Sequence, residues 1–228
     1  GRKAEQEILR QRIESKSPEL IAIYGRRRIG KTYLVRQYFN DTFSFYSTGI
    51  YQGTKKEQLG EFTRQLEHYS GRKWKVAKDW FDAFAQLREY LESIDGDSPI
   101  VVFLDELPWM DTQASQFIPA LEHFWNSWAS ARADIMLVVC GSATSWIIRK
   151  VIQNHGGLHN RVTQKIHLQP FTLLECEEYA QRRKLIMTRK QIVEAYMVMG
   201  GVPYYWSCLR PTMSLAQNID QLFFAPNG

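Results

Sequence analysis

Residues 25–32 contain the residue types from which proteins build phosphate sites. They read G-R-R-R-I-G-K-T and fit the pattern G-x-x-x-x-G-K-[ST]. Glycines let the backbone pass close to an anion, so that successive N–H groups point at phosphate oxygens. The lysine is a point charge for the outer phosphates, and the threonine hydroxyl is a ligand for Mg²⁺. We therefore predict a nucleotide site formed by Gly25, Arg26, Arg27, Arg28, Ile29, Gly30, Lys31, Thr32 and Tyr33.

Three consecutive arginines in this turn, Arg26, Arg27 and Arg28, repel one another unless the turn surrounds something strongly negative. A bound phosphate chain gives them a role, because they raise the positive potential around the site. The alternative is that they point outward into solvent. The sequence leaves these two interpretations open.

Two adjacent carboxylates, Asp105 and Glu106, directly follow the apolar residues V-V-F-L. Buried strands rarely end in adjacent carboxylates, because an unpaired buried charge is costly. Bound Mg²⁺ removes that cost for Asp105, so Thr32 and Asp105 are the predicted metal ligands. Glu106 is then the predicted general base for the attacking water, and Lys31 is the second catalytic residue. The alternative is an acidic strand end that faces solvent.

Further polar residues follow a third apolar stretch, I-M-L-V-V-C-G-S. Ser142 is our candidate for contact with the γ-phosphate or the attacking water, and Thr144 is the second choice. Ser142 can equally be the cap of the next helix. An arginine outside the loop can neutralise charge in the transition state, and the candidates are Arg161 and Arg149. Spacing alone does not separate either arginine from a solvated surface charge.

The elements that must position these residues follow from the apolar pattern. Strands are predicted at 19–25, 43–50, 100–107, 134–142 and 165–169. They alternate with helical patterns as far as about residue 170, which predicts a parallel sheet between two layers of helices. After Pro170 only helical patterns follow, at 172–184, 188–199 and about 212–224. We expect an α/β/α domain over residues 1–170 and a small helical domain over 171–228.

Composition limits the classes of function. The chain has 228 residues, a net charge of +5 and a pI of about 9.1, which permits contact with nucleic acid without arguing for it. Three cysteines without a CxxC pair favour free thiols in a reducing cytoplasm. His155, His159 and His167 lack the spacing of a helical metal site. No signal peptide or membrane span is visible, so we expect a cytoplasmic protein without membrane contact.

Several stretches together resemble the archaeal-type ATPases within the AAA+ and STAND group of P-loop proteins. They are GRKAEQEIL, YGRRRIGKT, FLDELPWM, FIPALEHFWNSWA, VVCGSATSW, GGLHNRVTQKIHLQPF and GGVPYYW. The resemblance implies ATP with Mg²⁺ as the ligand, a P-loop NTPase fold with strand order 5-1-4-3-2, and a helical lid. It also implies that Ser142 is similar to the sensor at a strand tip and that Arg161 is a phosphate-sensing or finger arginine. Pro203 would begin the lid and pack against the nucleotide.

The chain also departs from the pattern of that group. The usual sensor is asparagine, and Ser142 has a shorter reach. Members of the group usually continue through a winged-helix unit, often into a nuclease-like C-terminal domain. This chain ends at residue 228, so the resemblance leads us to expect a truncation before that effector region.

The leading functional hypothesis is a Mg²⁺-dependent switch protein that binds and hydrolyses ATP. Its partners would be ATP and ADP, other copies in a homo-oligomer, the missing effector region, or nucleic acid. The alternative is a nucleotide-binding scaffold with negligible hydrolysis, coupled to DNA or to a nuclease-like effector. A small-molecule kinase is a third interpretation, although the sequence contains no recognisable acceptor pocket. The signature of a guanine-binding site is absent, which favours ATP over GTP.

Overall fold

The computed structural model of the chain describes residues 2–96, 98–153 and 156–225. The chain divides into two compact units. The first, which we call the sheet unit, comprises Arg2–Gly25 and Lys31–His167. The second, the helical unit, comprises Leu168–Gly228 together with Arg26–Gly30. No sequence pattern predicted that the middle of the phosphate loop belongs to the same unit as the C-terminal helices.

A parallel sheet of five strands forms the centre of the sheet unit. The strands are β1 (Glu19–Tyr24), β2 (Phe45–Thr48), β3 (Ile100–Asp105), β4 (Ile135–Gly141) and β5 (Gln164–His167). Their order is β2-β3-β4-β1-β5, and every neighbouring pair is parallel. This is the expected 5-1-4-3-2 order read from the other edge, so the predicted fold is confirmed. The carboxyl ends of β1, β3 and β4 therefore meet at one edge of the sheet.

Seven α-helices accompany the sheet in the described part of this unit. They are α1 (Lys3–Ile13), α2 (Lys31–Tyr38), α3 (Lys55–Ser70), α4 (Trp80–Glu92), α5 (Leu107–Met110), α6 (Phe117–Ser127) and α7 (Thr144–Ile147). Alternate residues of β1, Leu20 and Ala22, pack into a core with α3, α4 and α6, in which Phe62 and Trp80 are almost fully buried. The strands between these helix layers are apolar on both faces, because both faces are covered.

Some predicted boundaries were wrong for identifiable reasons. The third strand ends at Asp105 and not at residue 107, because Glu106 has φ 47° and begins the short helix α5. Pro108 in the first turn of α5 has no N–H for a strand ladder. Helix α6 ends at Ser127, because the next residue, Trp128, takes the non-helical angles φ −145° and ψ −61°. The helix after β4 changes to a π-helical turn at Ile148–Ile152.

Four helices form the described part of the helical unit. They are α8 (Leu173–Arg182), α9 (Arg189–Met199), α10 (Pro203–Cys208) and α11 (Leu215–Phe223). Trp206 is fully buried at the centre of this unit, and its indole N–H donates to the Gly200 carbonyl at 2.7 Å. The sequence analysis missed α10, because its six residues are too few for a helical period. No helix among the described residues is long and apolar enough to cross a membrane.

The Gly200-Gly201 pair allows a close backbone approach in the helical unit. Gly200 has φ 59° and ψ −165°, a conformation that only glycine adopts readily. A Cβ on Gly201 would lie 1.8 Å from the Phe171 carbonyl oxygen. The two backbones also share a hydrogen bond, since Phe171 N–H donates to the Gly201 carbonyl at 2.6 Å. The chain before α8 and the chain before α10 are therefore joined at this point.

Gly201→Ala is expected to lower the free energy of unfolding by about 3 kcal/mol, the upper end for overpacking. The reason is that the new methyl group meets backbone, which cannot rotate away. Chemical denaturation measures the effect. Gly60→Ala is the matched control, since a Cβ there meets nothing within 4 Å and lies in α3. Gly60→Ala should raise the free energy of unfolding by up to about 1 kcal/mol. Equal stability of the two variants would contradict the assigned contact.

Candidate functional site

In the sheet unit, the two ends of the phosphate loop are tied to each other. Gly25 follows β1 with φ 145°, a backbone conformation that favours glycine. Lys31 begins α2, and its side chain is buried, with the residue 5% exposed. Its Nζ donates to the Gly25 carbonyl at 3.0 Å. The lysine is therefore held against the backbone of the predicted loop, at the start of a helix whose N-terminus favours anions.

The segment Arg26–Gly30 belongs to the helical unit, and its residues differ in exposure. Arg26, Arg27 and Arg28 are exposed, whereas Ile29 is only 1% exposed. Arg28 has φ 67° and Gly30 has φ 87°. Left-handed residues within a turn direct successive N–H groups to one side, which forms an anion-binding nest. The two positive φ angles are compatible with such a nest in this segment.

Asp105 and Thr32 meet in the sheet unit, although they are far apart in sequence. The Asp105 residue is 3% exposed, and its Oδ2 accepts a hydrogen bond from Thr32 Oγ1 at 2.6 Å. Its other oxygen, Oδ1, accepts from the Glu106 N–H at 2.9 Å. A buried carboxylate at a strand end is thus paired with the hydroxyl that follows the loop lysine. The two predicted metal ligands lie together.

The donor set suits Mg²⁺ better than a metal that needs a protein cage. Mg²⁺ takes oxygen ligands and is usually bound by one or two carboxylates plus substrate phosphates. Thr32 and Asp105 supply one hydroxyl and one carboxylate oxygen at hydrogen-bond distance. Within the described residues, no group of three or more His, Cys, Asp or Glu side chains could hold a metal ion. His155 lies outside the described residues. The residues present therefore fit a magnesium ion that arrives with a phosphate chain.

Glu106 lies beside this pair in a strained conformation. It has φ 47° and ψ 50°, which non-glycine residues adopt rarely, and such strain clusters at functional sites. Its Oε2 accepts two hydrogen bonds from Ser142, from the N–H at 3.1 Å and from Oγ at 3.0 Å. The structure therefore brings Ser142 to Glu106. The alternative that Ser142 caps the next helix is wrong, since Ala143 is the N-cap of α7 and makes no side-chain cap.

Two glycines that the sequence analysis did not single out permit this arrangement. The Gly49 N–H donates to the Asp105 carbonyl at 3.0 Å, and a Cβ on Gly49 would lie 2.7 Å from the Glu106 carbonyl oxygen. A Cβ on Gly141 would lie 2.8 Å from Cδ of Pro108. The turn after β3 therefore packs against the backbone on both sides. Glycines at neighbouring strand ends were the signal that could have revealed this.

The buried carboxylate affects its neighbours electrostatically. Burial raises the pKa of the Cys140 thiol well above its usual range, and the nearby negative charge of Asp105 adds to the effect. Burial also raises the pKa of Tyr46 to about 12, again with a contribution from Asp105. Both groups are therefore neutral at physiological pH. Asp105 is left beside an uncharged thiol and an uncharged phenol.

Cys140 is expected to resist alkylation in the native protein, whereas Cys208, which is partly exposed, reacts. Only the thiolate is nucleophilic, and a raised pKa keeps Cys140 protonated. Raising the pH from 7 to 9 should therefore leave the labelling of Cys140 low, because its pKa lies well above its usual range. Peptide mass spectrometry after iodoacetamide treatment measures both sites, and Cys208→Ser removes the background. Native labelling of Cys140 at the rate seen after denaturation would contradict its burial.

Arg161 is not placed with the carboxylates of its own chain. It lies in the turn before β5, where its N–H donates to the Leu158 carbonyl at 3.0 Å and its side chain is exposed. Two residues later, Thr163 N–H donates to the Leu20 carbonyl at 2.9 Å. This turn is therefore beside the start of β1, whereas the phosphate loop follows its end. Arg149, the other candidate, is exposed on the π-helical turn after α7.

Pro203 is the first residue of α10 in the helical unit. The next two residues, Tyr204 and Tyr205, contact Arg28 of the loop segment. The sequence analysis quoted the stretch GGVPYYW but assigned no role to either tyrosine. Their adjacency to a proline that can start a helix was the available signal.

Comparison with known families agrees with these observations. A family model described as an ATPase domain predominantly from Archaea matches residues 1–209. Among curated proteins, the chain is similar to MJECL04 of Methanocaldococcus jannaschii, whose name calls it uncharacterized. The two are 23% identical over 204 residues, which is 90% of this chain and 42% of that protein. The chain therefore spans about two fifths of the length of this relative.

Solved structures share the fold at low sequence identity. The Walker-type ATPase PABY2304 of Pyrococcus abyssi superposes with a TM-score of 0.69 at 16% identity, over 97% of this chain and 70% of that one. The STAND protein PH0952 of Pyrococcus horikoshii has a tetratricopeptide repeat sensor. It superposes with a TM-score of 0.60 at 19% sequence identity, over 99% of this chain and 32% of that one. Aeropyrum pernix ORC2, solved as ADPNP-ADP complexes, superposes with a TM-score of 0.61 at 17% sequence identity, over 90% of this chain and 60% of that one.

Proposed function

Because this chain belongs to the family of ATPase domains found predominantly in Archaea, we propose that it binds ATP with Mg²⁺ and hydrolyses ATP to ADP and phosphate. The observation that carries the proposal is the 2.6 Å contact between Thr32 Oγ1 and the buried Asp105 carboxylate. That pair lies one residue after the loop lysine and one residue before Glu106. These groups complement a triphosphate, a divalent ion and an attacking water.

The residues take distinct roles in this proposal. Amides of residues 25–32 surround the phosphates, and Lys31 binds their outer oxygens. Thr32 and Asp105 would hold Mg²⁺, which when bound would neutralise charge on the phosphates. Glu106 orients a water and takes its proton as the water oxygen bonds to the γ-phosphorus and the bond to the ADP oxygen breaks. Phosphate and ADP leave, and Glu106 returns the proton to solvent.

A second candidate function is nucleotide binding with negligible hydrolysis. It is favoured by the two hydrogen bonds that Glu106 Oε2 accepts from Ser142. A carboxylate oxygen engaged in this way has less room to accept a hydrogen bond from an attacking water. Under this alternative the chain is a scaffold whose shape depends on the bound nucleotide. Substitution of Glu106 by glutamine separates the two candidate functions.

Thr32→Ala tests the magnesium site. We expect the variant to lose at least about tenfold in apparent Mg²⁺ affinity during ATP hydrolysis, the range for removing a group that supports a metal site. Thr32→Ser keeps the hydroxyl and should behave like the wild type. Phosphate release at saturating ATP, titrated with MgCl₂ from an EDTA-treated start, measures the change. Identical magnesium curves for all three proteins would contradict the assignment of Thr32.

Partners and setting are further parts of the proposal. We propose a nucleotide-dependent switch in the cytoplasm, supported by three cysteines that are free thiols. Its partners are other copies of the chain, an effector domain, or nucleic acid. The exposed Arg161 acts on the nucleotide of a neighbouring copy. Sedimentation with and without ATP tests whether copies of the chain associate. Retention on duplex DNA that decreases as the salt concentration rises tests binding to nucleic acid.

A further inference from the structure

Arg28 makes four contacts with the start of α10, all within the helical unit. Its carbonyl accepts a hydrogen bond from the Tyr204 N–H at 3.3 Å. Its guanidinium carbon lies 4.5 Å from the centre of the Tyr204 ring and 5.7 Å from that of Tyr205. Its Nη1 donates to the Tyr205 hydroxyl at 3.3 Å. Both ring distances are within the range of a cation–π contact, so α10 holds the backbone and the side chain of this arginine together.

These contacts explain how a non-glycine residue stays in a left-handed conformation here. Arg28 has φ 67°, which is unfavourable for any side chain with a Cβ. Such a conformation persists only where the surroundings determine it. The hydrogen bond to its carbonyl fixes the peptide that follows Arg28, and the two rings fix the guanidinium. The neighbouring Ile29 is also buried, with 1% of the residue exposed.

The conformation of Arg28 also matters for the shape of the phosphate loop. A left-handed residue within a turn brings successive N–H groups to the same side, and this creates the anion-binding nest. Gly30, with φ 87°, reaches a positive φ without help, because it is glycine. Arg28 depends on its contacts to reach one. The contacts of α10 with Arg28 therefore favour the loop conformation that suits an anion.

We propose that Tyr204 and Tyr205 are positioning residues for the phosphate loop, which act through Arg28 to hold the nest in its binding conformation before ATP arrives. This inference rests on the proposed function and extends it to α10. Neither tyrosine has to touch the nucleotide. Preorganisation raises affinity because the loop is ordered before binding. Turnover of bound ATP should not depend on the two rings, since they take no part in the chemistry.

Calorimetric titration with ATP and Mg²⁺ tests the inference in six proteins: the wild type, Tyr204→Leu, Tyr205→Phe, Arg28→Met, and each tyrosine variant combined with Arg28→Met. Each tyrosine variant should raise the Kd for ATP roughly two- to fivefold, as expected for loss of an exposed cation–π contact or hydrogen bond. The kcat at saturating ATP should stay at the wild-type value. Tyr205→Phe keeps the ring and its contact with Phe223, so this variant folds.

Coupling between the sites separates a positioning role from a general structural one. In the Arg28→Met background, each tyrosine variant should cause no further rise in Kd, because the group through which it acts is gone. Phe224→Leu, which truncates an aromatic side chain that is 75% exposed in the same unit, is the matched control. It should leave the Kd unchanged.

Each other outcome overturns the inference. If folded Tyr204→Leu and Tyr205→Phe bind ATP as the wild type does, the tyrosines do not position the loop, and the proposed function stands. If the two tyrosine variants raise the Kd by the same factor in the Arg28→Met background, the tyrosines do not act through Arg28. If the wild type itself gives no heat with ATP and Mg²⁺, the proposed function fails and this inference fails with it.

Discussion

Lys31→Ala should abolish ATP turnover and raise the Kd for ATP by at least about thirtyfold, or about 2 kcal/mol. The side chain is buried, and its Nζ lies 3.0 Å from the Gly25 carbonyl oxygen. When phosphate binds, the ammonium exchanges a neutral acceptor for a charged one. Charge-assisted hydrogen bonds are about twice as strong as neutral ones, so the exchange favours binding. Calorimetry and phosphate release measure the two effects.

Lys75→Ala is the matched control, because it removes the same charge from an exposed position in the sheet unit. Its Kd and turnover should equal those of the wild type. A loss of affinity in both variants would show that net charge, and not the loop lysine, governs binding. Wild-type behaviour of Lys31→Ala would show that the phosphates bind elsewhere.

Glu106→Gln should lower kcat by about 10²- to 10⁴-fold, the usual contribution of a general base. ATP affinity should be retained, because the amide has nearly the shape of the carboxylate and does not contact the phosphates. The Glu106 side chain accepts hydrogen bonds from Ser142, and the amide oxygen of glutamine can accept the same bonds. The turn after β3 should therefore keep its fold. Single-turnover kinetics with ATP and Mg²⁺ measure the chemical step directly.

Glu92→Gln is the control for this substitution, since Glu92 is exposed at the end of α4. If the wild type and Glu106→Gln bind ATP equally and both release phosphate at the background rate, the scaffold function is correct. If Glu106→Gln hydrolyses ATP as fast as the wild type, Glu106 is not the base.

The fold was predictable because its signals are local. Apolar runs that alternate with amphipathic helices specify a parallel sheet, and the motif at residues 25–32 follows such a run directly. Asp105 could be predicted as a site residue from its place at a strand end. The strand order came only from the resemblance to a family, since composition and periodicity do not specify which strands are neighbours. The order is confirmed.

The contacts around the site were harder to predict because they join distant residues. The bond between Glu106 and Ser142 spans 36 positions and exists because β3 and β4 are neighbours. The contact of Arg28 with Tyr205 spans 177 positions. It also needs α10, a helix of six residues whose start at Pro203 gives only a weak sequence signal. Arg161 could be chosen from its motif, but its position in the fold cannot be read from spacing. Its role remains a prediction.

The central claim is that backbone amides of residues 25–32 surround the phosphates of ATP. Backbone amide NMR of the ¹⁵N-labelled chain, titrated with ATP and Mg²⁺, tests it most directly. The account predicts that the largest shift changes fall on Gly30, Lys31 and Thr32, and that they disappear in Lys31→Ala. Unchanged amides in this loop, with the largest changes elsewhere in the chain, would contradict it.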